Sequence, residues 1–94
     1  MSRDFAAELA ELQRNYIAAL PAKLDELGAA IERRAADDTR ALAHKLRGTA
    51  ASYYAPDVST AAAAIENAVE TETPDWGSVD ELLAKARAVV AGMS

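Results

Sequence analysis

The chain has 94 residues, one histidine, no cysteine and a formal charge of −5. That length suits a single domain, 1–94, with a modest core, and the missing cysteines exclude disulfides and cysteine-type zinc sites. The acidic balance argues against a nucleic-acid partner, and no stretch approaches the roughly 20 apolar residues of a membrane span.

Apolar residues recur at spacings of three and four, and no stretch alternates as a strand would. Ala, Leu, Glu, Lys and Arg, all good helix formers, dominate. The pattern predicts five helical segments. The first covers about Arg3 to Ala19, with Phe5, Leu9, Leu12 and Tyr16 on one face. Pro21 opens a second, because proline suits the first turn of a helix and not its interior. Leu24, Leu27 and Ile31 are its inner positions. The "AADD" stretch (35–38) breaks the chain, with Asp37 or Asp38 as the expected N-cap of the third helix, which runs to about Tyr53. Pro56 opens the fourth, with Ala61, Ala62, Ile65 and Val69 inward. "TETPDWGS" (71–78) reads as a loop. Ser78 is the expected cap of the fifth helix, whose inner face carries Leu82, Leu83, Ala86 and Val89. Short connections between amphipathic helices predict an all-α, antiparallel up-and-down four-helix bundle with an additional short N-terminal helical segment.

The histidine, His44, lies in the third helix within "ALAHKLRGTAASYYAPD" (41–57). At about 100° per residue, Leu42, Leu46, Thr49, Ala50 and Tyr53 form one apolar stripe. His44 falls about 200° from Leu42, on the opposite side, together with Arg40, Arg47, Gly48 and Ala51. The surrounding charge is uneven. Arg40, Lys45 and Arg47 stand in a segment without acids, whereas Asp57 to Glu81 holds seven acidic residues and no Lys or Arg. Gly48 costs a helix interior about 0.8–1 kcal/mol relative to alanine. Two explanations are open: a larger side chain at i+4 would crowd the imidazole, or a neighbouring helix packs closely there.

An exposed imidazole is partly neutral at physiological pH and attacks phosphorus readily. Arg47, one turn on, presents a planar fork to phosphate oxygens, and Lys45 adds a flexible point charge. The chain has no Gly-rich nucleotide loop, no second histidine and no metal-loop spacing. It therefore has a phosphate acceptor without the means to activate a nucleotide, and no metal site of its own is expected. No side chain stands out in the sequence as the partner of the second imidazole nitrogen.

The run Ala43-His44-Lys45-Leu46-Arg47-Gly48-Thr49-Ala50, followed by Ala55 and the pair Ile65-Glu66, resembles the histidine-containing phosphotransfer (HPt) domains of two-component phosphorelays. Their signature is A-H-x-L-K-G-[ST]-A, then a Gly-Ala pair, then a Leu-Glu or Ile-Glu pair. The likeness covers roughly residues 12 to 70 and includes the upstream segment with Pro21, Leu24 and Leu27. It implies a four-helix bundle core with His44 as the phosphorylated residue. It implies phosphoryl exchange with the aspartate of a response-regulator receiver domain, or receipt from a histidine kinase, and no kinase activity of the domain itself. Arg47 stands for the usual Lys, and Tyr54 stands where a glycine usually precedes Ala55. Tyr54 either changes the helix end or adds an aromatic anchor to the docking surface.

The resulting expectation is a freestanding cytoplasmic phosphocarrier. His44 Nε2 attacks a receiver acyl phosphate, with Mg²⁺ supplied by the receiver. Lys45 and Arg47 stabilise the moving group, Gly48 keeps the histidine accessible, and Arg40, Ala51 and Tyr54 dock the partner. The alternative is an HPt-like docking module that binds a receiver or kinase without being phosphorylated. A hydrolase is disfavoured, because the chain has no partner nucleophile and no triad.

Overall fold

A computed structural model describes the backbone of residues 2–93, with side chains from Phe5 onward; Met1 and Ser94 lie outside the described residues. Four helices follow one another: α1 (Ser2–Glu32), α2 (Ala36–Ser52), α3 (Pro56–Ala68) and α4 (Trp76–Ala91). α1 packs on α2 and α4, and α3 packs on the same two, so the helices close a ring around one core. Leu20, Leu24, Leu27 and Ile31 of α1 meet Ala43, Leu46 and Ala50 of α2, Val58, Ala62 and Ile65 of α3, and Val79, Ala86 and Val90 of α4 in that core.

The break expected at Pro21 is absent, and the first two predicted segments are one 31-residue helix. Pro21 has no N–H for the Ile17 carbonyl, a deficit worth about 3 kcal/mol in a helix interior. Leu20 and Leu24, one position before it and three after, are fully buried, and Leu27 and Ile31 continue the same stripe. Their burial, at about 1.5–3 kcal/mol each, outweighs the local penalty. Pro21 itself lies on the exposed side, where water can serve the freed carbonyl.

The N-terminal stripe is correctly placed on one face but is only partly covered. Tyr16 is buried, whereas Phe5, Leu9 and Leu12 are 68%, 38% and 51% exposed. At 1.5 Å per residue α1 is about 46 Å long, against about 26 Å for the 17-residue α2, so its first turns overhang the bundle. The overhang begins where Gln13 Nε2 donates to the Tyr53 carbonyl (3.1 Å) and Tyr16 stacks on Tyr53, with ring centroids 4.5 Å apart. Burial raises the Tyr16 phenol above its ordinary pKa, and its hydroxyl lies 3.0 Å from Thr49 Oγ1. Thr49 donates onward to the Leu46 carbonyl.

Helix ends differ from expectation in two places. Ala35 is the N-cap of α2 and has no side-chain cap bond; Asp37 and Asp38 lie in the first turn, where they complement the helix dipole. Asp75, not Ser78, caps α4: its carboxylate accepts from the Ser78 N–H (3.3 Å) and Ser78 Oγ (3.0 Å). Those two bonds hold the Asp75 carboxyl below the usual range. Pro56 does open α3, as expected. In α4 the buried residues are Val79, Ala86 and Val90, with Leu82, Leu83 and Val89 only half-buried.

Two of the three connections end their helices with a non-glycine residue in the left-handed region. At α1, Arg34 (φ 56°) donates to Ile31 O and Ala35 to Ala30 O; at α2, Tyr54 (φ 60°) donates to Ala51 O and Ala55 to Ala50 O. This is the paired bonding of a Schellman end, which usually carries glycine. Tyr54 therefore keeps the helix end that a glycine would give, rather than changing it.

Candidate functional site

α2 buries Ala43, Leu46 and Ala50 and turns the opposite face outward. The His44 side chain is 61% exposed, as the helical wheel predicts. Gly48, one turn on, has nothing within 4 Å of where a Cβ would stand. Close helix packing is thus not the reason for the glycine; the space beside the imidazole is open.

Across the α2–α3 interface stands Glu66, whose side chain is only 7% exposed. Its Oε2 lies 2.8 Å from His44 Nδ1. Arg47 completes a triangle, with Nη2 3.2 Å from Nδ1 and Nη1 3.3 Å from Glu66 Oε1. Nδ1 cannot both donate to a carboxylate and accept from a guanidinium, because it holds either a proton or a lone pair. The shorter contact and the buried carboxylate assign the proton to Nδ1, donated to Glu66. A buried carboxylate without compensating donors is costly. The Arg47 contact with Nδ1 is then one of proximity, and its charge serves Glu66 instead. The pair leaves the lone pair of a neutral imidazole on Nε2.

Glu66 is the partner of His44 that sequence reasoning missed. It occurs in the Ile65-Glu66 pair that supports the resemblance, but nothing local ties it to His44. One signal was available: Glu66 follows Ala62 by four residues and precedes Val69 by three, so it is a carboxylate set in an apolar stripe.

The other predicted residues separate. Arg47 joins the His44–Glu66 pair, and Ser59 Oγ of α3 donates to its carbonyl at 3.0 Å. Lys45 does not join it: with Lys23, Glu26 and Thr49 it lines a small cleft beside α1. Arg40 is exposed one turn before His44. Ala51 and Tyr54 line a shallow groove of about 530 Å³ with Pro56, Ser59 and Thr60. A further groove, about 640 Å³, runs along α1 and α4 past Ile17, Pro21, Leu24 and Val90 and includes none of these residues. Among the described residues no cluster of three or more His, Cys, Asp or Glu is placed to hold a metal ion, and no helix is long and apolar enough to cross a membrane.

The family model of the Hpt domain matches residues 5–92, nearly the whole chain. The chain belongs to the Hpt domain family. Hpt domains serve histidine phosphotransfer in two-component signalling, acting as phosphocarriers rather than enzymes alongside kinases and receivers. No curated protein and no solved structure gives a significant match. Within this Hpt domain, Arg47 keeps the positive charge of the usual lysine and uses it on a buried carboxylate as well.

Proposed function

We propose that His44 is the phosphoacceptor and that the protein relays a phosphoryl group to or from the aspartate of a receiver domain. The single observation that carries this is the bond of Nδ1 to buried Glu66, which supports Nε2 as the nucleophile on an exposed side chain. The Nε2 lone pair attacks phosphorus, the P–O bond to the aspartate breaks, and the carboxylate leaves with that electron pair. Mg²⁺ held by the receiver neutralises the leaving group. The imidazole gains positive character as the N–P bond forms, and Glu66 balances it through Nδ1–H. Arg47 meets the transferring oxygens, and Lys45, turned toward α1, adds positive charge beside the site without joining the pair. Gly48 keeps the approach open, and Arg40 and Ala51 border the docking face.

The test is phosphate transfer from a panel of phosphorylated receiver domains to the native protein and to His44→Gln. Acid-labile, base-stable label on the native protein alone is the expected result. Label retained by His44→Gln would sink the assignment, and binding without label would establish the docking module instead.

A further inference from the structure

Arg34 and Tyr54 occupy the same left-handed position at two equivalent helix ends, a conformation that is unfavourable for a residue with a Cβ. The fold offsets this for Arg34. Its guanidinium donates to Ile31 O (3.3 Å) and to both Asp80 oxygens (3.1 and 3.3 Å), and it lies 5.6 Å from the Trp76 ring centroid. Nothing comparable holds Tyr54. The residue is 71% exposed, and its side chain makes no hydrogen bond or ring contact among the described residues. A glycine would serve this helix end better, so the fold itself supplies no reason for the ring.

The ring borders the groove it forms with Ala51, Pro56, Ser59 and Thr60. That groove adjoins the site. Ala51 follows Gly48 on the exposed face of α2, and Ser59 in the groove wall bonds the Arg47 carbonyl. Ser52, the last residue of α2, lies about 12 Å along the helix axis from His44, and Tyr54 follows two residues later. An ordinary interface covers about 800 Å² per partner, a patch about 32 Å across. A partner whose aspartate reaches His44 and whose surface also covers Tyr54 is centred on Gly48 and Ala51, where the side chains are smallest. Exposed tyrosines with few internal contacts make strong anchors, since they bury a large rigid ring at little entropic cost.

We propose that Tyr54 is the anchor by which this chain recognises its receiver domain, seating its ring against an apolar surface next to the receiver's acidic phosphorylation pocket. This rests on the phosphocarrier assignment above. It makes Tyr54 a specificity residue, retained despite its backbone conformation.

The test uses the full chain and the same receiver panel, with dissociation constants and label uptake measured for native protein, Tyr54→Gly, Tyr54→Ala and Tyr54→Phe. Tyr54→Gly is expected to raise Tm and yet weaken receiver binding about tenfold or more, a pairing that a purely structural role would not produce. Tyr54→Ala weakens binding similarly, and Tyr54→Phe retains it. Native affinity in both Tyr54→Gly and Tyr54→Ala overturns the anchor and leaves the phosphocarrier standing. Binding without label on the native protein sinks the phosphocarrier alone, and the variants still decide the anchor. Neither binding nor label from any receiver sinks both.

Discussion

Glu66 Oε2 and His44 Nδ1 stand 2.8 Å apart, although 22 residues separate them in the chain and they lie on different helices. The carboxylate is buried and the imidazole is exposed, so the contact joins the interior of the bundle to its surface. Fixing the proton on Nδ1 is the service a buried carboxylate performs for a nucleophilic or basic histidine.

Replacing Glu66 by Gln keeps an acceptor for Nδ1–H and removes the charge. Hydrogen bonds to charged groups contribute about 1.5–3 kcal/mol and neutral ones about 0.5–1.5, so phosphoryl transfer to His44 should slow roughly tenfold with the fold retained. Transfer kinetics beside a circular-dichroism melt check this. An unchanged rate would remove Glu66 from the mechanism.

Gly48→Ala should stabilise α2 by about 0.8–1 kcal/mol, because no atom within 4 Å opposes a Cβ there. For a domain of this size that is a Tm rise of about 4–8 °C. Gly48→Leu should slow transfer from a receiver by crowding the imidazole. Full transfer in a folded Gly48→Leu protein would show that the open space is not needed.

Tyr16 makes the bundle sensitive to alkali. Its phenol pKa is raised by burial, so its contribution to stability is fully present below the ordinary phenol value of about 10 and is lost as pH rises through the folded value. Melting temperatures across that range should fall for the native protein and fall less for Tyr16→Phe. At neutral pH the phenylalanine variant should lose about 1 kcal/mol with the Thr49 bond.

Asp75 gives the opposite pH dependence. Its carboxyl pKa is depressed by the Ser78 bonds, so its capping contribution is present above the ordinary carboxyl value of about 4 and is lost as pH falls through the folded value. Asp75→Ala should melt at a lower temperature than the native protein at neutral pH, and the two should converge in acid. A constant gap across pH would show that the carboxylate charge plays no part.

The helical content, the outward face of His44, the company of Arg40, Arg47, Gly48 and Ala51, and the membership suggested by the His-to-Gly run are all legible in the residue order. These are properties of 3.6-residue periodicity and short motifs, which are local. The continuation of α1 through Pro21 came from the folded bundle, because that outcome depends on what Leu20 and Leu24 bury against. The bundle placed Lys45 beside α1 rather than with Arg47, and it showed Gly48 facing open space. It brought Glu66 to Nδ1 through the packing of α3 on α2, a relation between helices that no spacing within one helix encodes.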